Sequence, residues 1–174
     1  HAALKMQAKI YGDTTIGKFS KVGGEVSNSV IFGYSNKGHD GFLGNSVIGE
    51  WCNLGADTNN SNLKNNYGKV SAWSYPDKKY INTNLQFCGL IMGDHAKAAI
   101  NTQFNTGTVV GVCANVFNEG FPPKFIPDFS WGNSSVFELE KAYEVAQRVM
   151  ERREINLSEI DKNIMKYIFE NRIK

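Results

Sequence analysis

Through much of the chain, an apolar residue recurs at every sixth position. The clearest run begins at residue 92 and reads MGDHAK AAINTQ FNTGTV VGVCAN VFNEGF. Its leading residues are Met92, Ala98, Phe104, Val110 and Val116, and four positions after each stands a small residue: Ala96, Thr102, Thr108, Ala114 or Gly120. The stretch FLGNSV IGEWCN LGADTN has the same register, with apolar residues Phe42, Ile48 and Leu54 and small residues Ser46, Cys52 and Thr58. Near the start of the chain, Ile10, Ile16 and Val22 are the apolar residues, and Thr14, Ser20 and Val26 follow them.

A period of six fits neither a helix nor a simple alternating strand. It is typical of a coil with short flat faces, in which one apolar side chain per face points inward and a small residue fits each corner. The pattern therefore predicts an all-β solenoid, a parallel β-helix of hexapeptide repeats, whose turns bury their interior only by stacking on one another. Chance spacing in an ordinary β-rich domain is the alternative, and the number of occupied hexads disfavours it.

Two segments interrupt the period. Residues 59–90 are rich in asparagine, and alternating residues in KVSAWSY and KKYINTNLQF predict two short strands, hence a hairpin-like insertion. After residue 120 the proline-rich stretch FPPKFIPDFSWGN can continue neither period. We therefore divide the chain into a β-helix domain over residues 1–120, with its insertion at 59–90, and a connector with C-terminal helices over residues 121–174.

The C-terminal segment predicts a helical hairpin. Ser135 and Glu138 have the spacing of a capping box, and Ser158 can cap a second helix. The apolar face of the first helix, which runs to about Arg152, consists of Leu139, Ala142, Tyr143, Ala146, Val149 and Met150; that of the second consists of Ile160, Ile164, Tyr167 and Ile168. We expect the pair to close the end of the solenoid or to pack against another subunit.

Composition excludes several classes of function. Of the 174 residues 41% are hydrophobic and 21% charged, which fits a globular body with a real core. A net charge of +2 without a Lys/Arg run gives no support for nucleic-acid binding, and no apolar run approaches the roughly 20 residues of a membrane-spanning helix. Cys52, Cys88 and Cys113 lack metal-type spacing and cannot all pair, so we expect reduced, buried thiols and a cytoplasmic protein without a membrane partner.

Candidate chemistry begins with His39, in the stretch NKGHDGFLGN. The register places it in the middle of a face, pointing outward, where a lone histidine is more often a plain surface residue. Asn53 follows 14 residues later, less than one coil of roughly 18, and Asn62 lies beyond it. The three side chains are therefore expected on adjacent turns.

The segments GHDGFLGNS and NLGADTNNSN, within about residues 10–118, resemble the acetyltransferase half of a bifunctional enzyme family. That family is the glucosamine-1-phosphate N-acetyltransferase/N-acetylglucosamine-1-phosphate uridyltransferase family, and the long insertion and helical tail resemble its divergent bacterial and archaeal members. The resemblance implies a left-handed β-helix. Since no glycine-rich nucleotidyltransferase signature is present, the uridyltransferase half is not in this chain.

The resemblance implies N-acetylation of an amino-sugar 1-phosphate, above all glucosamine-1-phosphate, by acetyl-CoA in UDP-N-acetylglucosamine biosynthesis. By similarity His39 is the general base, because imidazole can accept the ammonium proton near neutral pH. Asn62 matches a family asparagine near the reacting groups, and Asn53 one that contacts the sugar. No metal is required for this transfer.

The phosphate requires cations, and here the chain departs from the family. Lys69 lies one position from a family lysine, with Lys64 as its substitute. Phe42 keeps the ring of a family tyrosine but lacks its hydroxyl group. Ser27 replaces a phosphate-binding lysine twelve residues before His39, so Lys9, Lys21 or Lys37 would have to compensate.

The resemblance also implies a homotrimer with acetyl-CoA lying between subunits. Ala99, Ile100 and Asn118 fall near family positions that contact the cofactor, mostly through backbone atoms. A second hypothesis is a non-catalytic trimerisation and regulatory domain of a sugar-nucleotide enzyme. A zinc enzyme is a third, but a catalytic zinc site needs about three imidazoles and only His39 and His95 are internal, so we expect His95 to face solvent or a subunit interface.

Overall fold

The computed structural model of the chain describes residues 1–117 and 119–173. Its strands are β1 (Ala3–Leu4), β2 (Lys9–Ile10), β3 (Thr15–Ile16), β4 (Lys21–Val22), β5 (Glu25–Ser27), β6 (Val30–Ile31), β7 (Asn36–Lys37), β8 (Phe42–Gly44), β9 (Val47–Ile48), β10 (Asn53–Leu54), β11 (Asn59–Asn60), β12 (Ser71–Ser74), β13 (Lys79–Asn82), β14 (Ile91–Met92), β15 (Lys97–Ala98), β16 (Gln103–Phe104), β17 (Val109–Val110), β18 (Asn115–Val116), β19 (Phe125–Ile126), β20 (Ser130–Trp131) and β21 (Ser135–Val136). Two helices follow, α1 (Leu139–Glu151) and α2 (Glu159–Asn171).

The strands form the three faces of a left-handed β-helix, so the predicted fold class is confirmed. Face A contains β1, β4, β7, β10, β15, β18 and β20 in parallel order, with β21 antiparallel at its end. Face B contains β2, β5 and β8, followed by the pair β11–β16. Face C contains β3, β6, β9, β14, β17 and β19. The chain visits the faces in the order A, B, C, so successive strands of one face come from successive coils.

One residue per strand points into the solenoid, and these residues make a single core. Its fully buried members include Val22, Ile31, Ile48, Leu54, Met92, Phe104, Val110 and Val116, most of them at the predicted inward positions. The register at residue 42 was wrong: Leu43 is 1% exposed in the core, whereas Phe42 is only half-buried on the outside. Leu43 and Ile48 are five residues apart instead of six, because a shorter corner joins β8 to β9. Val26, expected at a corner, is likewise an inward core residue.

Bulky side chains stack along the edge between faces C and A, here called the C/A edge. Phe19, Tyr34, Trp51 and His95 occupy equivalent corner positions of successive coils, all with φ between 59° and 61°. Their ring centroids are 5.2, 4.1 and 6.2 Å apart in that order, and each adjacent pair is stacked. The left-handed conformation is uncommon for such residues, so stacking between coils compensates for local strain.

His95 was expected to face solvent or a subunit interface, and it is instead a half-buried member of this stack. Its ring lies against Trp51, and its Nδ1 atom is buried without a hydrogen-bond partner. Burial, together with the nearby Lys97 ammonium, lowers the pKa of His95 to about 4. The imidazole is consequently neutral at physiological pH and acts as a packing group.

The insertion leaves the solenoid after β11 and returns at β14. As predicted, it contains a hairpin, with β12 and β13 paired antiparallel. Trp73 of the hairpin stacks on Phe125 at 4.2 Å, and the Tyr75 hydroxyl group donates a hydrogen bond to Asp128 Oδ1 at 3.0 Å. The hairpin is thus held against the outside of face C.

Helices α1 and α2 form a second core with the C/A edge, in which Ala142, Ala146, Met150 and Met165 pack with Trp51 and Phe129. The Ser158 cap is confirmed, since Ser158 and Asp161 form a complete capping box. The Ser135 capping box was wrong: Ser135 lies in β21, and the N-cap of α1 is Glu138, which makes no side-chain cap bond. The expected inward face of α2 was wrong for Ile160, Ile164 and Tyr167, which are exposed, whereas Ile168 packs against this core as predicted. The three cysteines are free and buried, as predicted.

The aromatic stack gives a first prediction. Trp51→Ala should lower the free energy of unfolding by about 3–5 kcal/mol, because it empties a buried site between two stacked rings. Urea denaturation followed by circular dichroism measures this change. Tyr67→Ala is the matched control: Tyr67 also has a positive φ of 58° but is 68% exposed, so its loss should cost less than about 0.5 kcal/mol. Equal effects of the two substitutions would contradict a structural role for the stack.

Candidate functional site

His39 lies at the corner between faces A and B, not in the middle of a face as expected. β7 ends at Lys37 and β8 begins at Phe42, so residues 38–41 turn the edge, and the His39 side chain is exposed. The same edge continues through residues 55–58 and 99–102 of the next two coils, and we call it the A/B edge. Backbone hydrogen bonds join these corners, from Asp57 N to Asp40 O at 3.1 Å and from Asn101 N to Ala56 O at 2.8 Å.

The predicted cofactor residues Ala99 and Ile100 lie on this A/B edge, two coils along from His39. They pack so closely on the preceding corner that a Cβ atom on Gly55 would lie 2.5 Å from Ile100 N. The side chain of Ile100 is 67% exposed. The structure therefore brings His39, Ala99 and Ile100 to one exposed edge, whereas Asn118 lies outside the described residues.

Asn53 lies on the outer surface of face A, beside its partner on the preceding coil. Asn36 Nδ2 donates a hydrogen bond to Asn53 Oδ1 at 2.8 Å, and the two residues are in register in β7 and β10. Asn36 Oδ1 in turn lies 2.9 Å from the position that a Cβ atom on Gly38 would occupy. This amide pair thus extends towards the corner that carries His39.

Phe42 and Asn62 meet on the opposite side of that corner, over face B. A Cβ atom on Gly44 would collide with the Phe42 ring and lie 2.9 Å from Asn62 Nδ2, so both side chains cover this glycine. Asn62 Nδ2 donates to Asn45 Oδ1 at 2.7 Å, which places Asn62 at the edge between faces B and C. Within one chain His39 and Asn62 therefore lie on opposite edges of face B, with Phe42 between them.

The two predicted phosphate-binding lysines lie beyond Asn62, in the insertion. Lys64 Nζ donates a hydrogen bond to Lys69 O at 2.6 Å, and the Lys69 side chain is exposed. Lys64 also lines a cavity of about 620 Å³ with Lys124, whose ammonium group donates to Ser71 O at 2.7 Å. These cations are grouped at the edge between faces B and C, away from His39.

Lys37 is a site residue that sequence reasoning assigned wrongly. It was considered a substitute phosphate ligand, but it is 3% exposed and occupies an inward position, in register with Val22. Its Nζ atom donates a hydrogen bond to His39 O at 2.7 Å. Burial lowers the pKa of Lys37 to about 8, while Asp40 and Asp57 act in the opposite direction. The register based on Phe42 and Ile48 puts Asn36 at the inward position, and the five-residue step from Leu43 to Ile48 makes Lys37 the inward residue instead.

The remaining expectations concern metals and membranes. Within residues 1–117 and 119–173, no three His, Cys, Asp or Glu side chains come close enough together to hold a metal ion. Neither helix in that part of the chain is long and apolar enough to cross a membrane.

Comparisons with known proteins support the resemblance seen in the sequence. The bifunctional protein GlmU of Methanocaldococcus jannaschii is 33% identical over 87 residues, which cover 50% of this chain and 21% of that protein. The GlmU proteins of Methanococcus maripaludis and Methanococcus aeolicus are 32% and 30% identical, over 50% and 63% of this chain and 20% and 25% of their own lengths. The chain thus spans between a fifth and a quarter of these relatives, and it is similar to part of the bifunctional proteins of the family named above. No protein-family model matches the chain.

A solved structure shares the fold. It is a mutant of AntD, an N-acyltransferase from Bacillus cereus, in complex with dTDP-4-amino-4,6-dideoxyglucose and coenzyme A. The TM-score is 0.53 with 13% sequence identity, and the match covers 78% of this chain and 77% of AntD. At this identity the likeness establishes the fold alone.

The buried ammonium of Lys37 gives a pH-dependent prediction. Its pKa is about 8 in the folded chain and 10.5 in the unfolded chain, so between these pH values the unfolded chain binds more protons and stability rises with pH. From pH 7 to pH 9.5 the free energy of unfolding of the wild type should increase by about 1–2 kcal/mol relative to that of Lys37→Met. Urea denaturation at several pH values measures the difference.

Lys9→Met is the control for this experiment. Lys9 is an exposed lysine on β2, so Lys9→Met removes a surface lysine and leaves the buried ammonium of Lys37 in place, and it should keep the pH slope of the wild type. A Lys37→Met variant that follows the wild-type slope would show that the buried ammonium does not titrate in this range.

Proposed function

We propose that this chain transfers an acetyl group from acetyl-CoA to the amine of an amino-sugar 1-phosphate. Glucosamine-1-phosphate is the proposed acceptor, and N-acetylglucosamine-1-phosphate, for UDP-N-acetylglucosamine biosynthesis, is the product. One observation carries the proposal: an exposed histidine, whose corner is anchored by a buried lysine, shares one edge of the solenoid with the exposed Ala99 and Ile100. The similarity to GlmU and the fold shared with an N-acyltransferase support it.

In the proposed reaction the amine nitrogen bonds to the thioester carbonyl carbon and the carbon–sulfur bond breaks. The nitrogen loses two protons overall: one goes to His39, and the other goes to the departing sulfur, so that coenzyme A leaves as its thiol. The substrate ammonium has no lone pair, so His39 accepts a proton from it before or during attack. Negative charge develops on the carbonyl oxygen and requires a donor already in place, for which the Asn62 amide is proposed. The bond from Lys37 to the His39 carbonyl oxygen keeps the corner in position for this step.

The proposed assembly is a homotrimer with a site between neighbouring copies. His39 and Asn62 lie on opposite edges of face B in one chain, so two copies packed edge to face could supply them to a common site. Exposed apolar side chains on the A/B edge, Ile100 at 67% and Phe117 at 47%, support an intersubunit contact or a cofactor there. We place the assembly in the cytoplasm and assign the acetyltransferase to residues 1–120, with the connector and helices at 121–174.

A second candidate function is a non-catalytic trimerisation and regulatory domain of a sugar-nucleotidyltransferase. It is favoured by the departures from the family: Ser27 stands in place of a phosphate-binding lysine, and Lys64 and Lys69 lie away from His39. Turnover separates the two candidates.

The test is an assay of free thiol released from acetyl-CoA in the presence of glucosamine-1-phosphate. We expect the wild type to turn over. In His39→Ala kcat should decrease by about 10²–10⁴-fold, because the proton acceptor is lost. In Asn62→Ala kcat should decrease by about 10²–10³-fold, because an oxyanion donor is lost.

His1→Ala is the matched control, since His1 is an exposed histidine that stacks on Phe19 at the C/A edge and not at the A/B edge that carries His39. It should keep wild-type activity. Full activity of His39→Ala would show that His39 is not the base. A wild type without turnover on any amino-sugar phosphate would favour the regulatory role.

A further inference from the structure

A basic pocket on face A is not explained by any role given above. Its floor contains Lys21, Asn36 and Asn53, the outward residues of β4, β7 and β10 on three successive coils. Arg152 and Arg153, at the end of α1, close it from above. The cavity measures about 400 Å³, and Tyr34 and Trp51 of the aromatic stack form one wall.

The charge of this basic pocket is unbalanced. Lys21, Arg152 and Arg153 all line it, and no Asp or Glu does so among the residues that the structure describes. In residues 1–117 and 119–173 none of the three cations forms an ion pair, whereas the ion pairs that do occur lie elsewhere on the two helices. Three cations in one concave site favour a bound anion.

One of the three cations, Arg153, is also held in place. Arg153 Nη2 donates a hydrogen bond to Phe19 O at 3.2 Å, which orients the guanidinium group over face A. A guanidinium has five N–H donors in a planar fork, so the others remain for a ligand, and the fork matches the oxygens of a phosphate. Lys97, next in register after Asn53, directs its ammonium group to His95 O at 2.8 Å instead.

The position of the basic pocket relative to His39 indicates which part of the substrate the pocket binds. Lys21, Asn36 and Asn53 form one row across successive coils of face A. Asn36 Oδ1 also lies 2.9 Å from the position that a Cβ atom on Gly38, the residue before His39, would occupy. Asn36 and His39 are three residues apart, so at most roughly 10 Å of backbone separates them, a span suited to a hexose phosphate with polar groups along its length.

We propose that the basic pocket binds the phosphate group of the amino-sugar substrate through Lys21, Arg152 and Arg153, with Asn36 and Asn53 contacting the sugar. This proposal rests on the acetyltransferase function proposed above and replaces Lys64 and Lys69 as the phosphate ligands. The cavity that Lys64 and Lys124 line has two cations instead of three, and it lies at the edge between faces B and C, away from His39. The end of α1 would thereby supply cations on face A, in place of the family lysine that Ser27 replaces on face B.

Two measurements test this proposal, one of binding and one of turnover. Calorimetry with glucosamine-1-phosphate and with inorganic phosphate should show binding to the wild type and at least a tenfold higher Kd for Arg152→Ala/Arg153→Ala. In the thiol assay the same double variant should raise KM for glucosamine-1-phosphate at least tenfold and leave KM for acetyl-CoA unchanged. Arg148→Ala is the matched control, because Arg148 is an exposed arginine of α1 paired with Glu144, and it should behave as the wild type.

Lys21→Ala, with circular dichroism to verify folding, supplies an independent variant on the solenoid side of the pocket and should also raise the Kd for glucosamine-1-phosphate. Unchanged binding and KM in both variants would overturn the proposal while the acetyltransferase function stands. An increase in KM for acetyl-CoA alone would overturn it by assigning the pocket to a phosphate group of the cofactor. Arginine-dependent binding of the sugar phosphate without any turnover would uphold the pocket and reject the function, and absence of both would reject both.

Discussion

The whole molecule depends on parallel backbone hydrogen bonding between one coil and the next. On face C, Gly17 N donates to Ile31 O at 2.7 Å and Gly49 N to Met92 O at 2.8 Å. The corners are joined in the same way, for example from Tyr34 N to Lys18 O at 2.8 Å. Because each residue is fixed above its equivalent on the previous coil, residues with the same position in the repeat form continuous rows along the solenoid.

These rows divide the surface by function. The C/A edge carries aromatic rings that stack between coils, and helices α1 and α2 pack over part of it. The A/B edge carries His39 and Ile100, which remain exposed. One edge is therefore buried and contributes stability, while another is open to ligands or to a second copy of the chain.

The backbone ladder on face B is interrupted between β8 and β11, and asparagine side chains replace it there. Asn59 Oδ1 and Asn60 Oδ1 accept hydrogen bonds from Phe42 N and Gly44 N, each at 2.8 Å. Asn60 points into the solenoid at 5% exposure and also donates to Gly44 O at 3.0 Å. An amide offers the donor and acceptor of a peptide group, so it can occupy an inward position here without leaving buried polar groups unpaired. Lys37 is tolerated in the interior for a related reason, since its ammonium group reaches the carbonyl oxygen of His39.

The sequence by itself determined the solenoid, its hairpin insertion, the two helices and the Ser158 cap, because each depends on local periodicity or on a cap within one turn. It also identified His39, Asn53 and Asn62 as candidates, though their roles stay predictions. Only the tertiary structure decided that a short corner makes Leu43 rather than Phe42 the inward residue, and that His39 turns an edge. It alone decided that Arg152 and Arg153 fold back over Lys21, because the packing of α1 against the aromatic edge, and not any local pattern, joins segments so far apart in the chain.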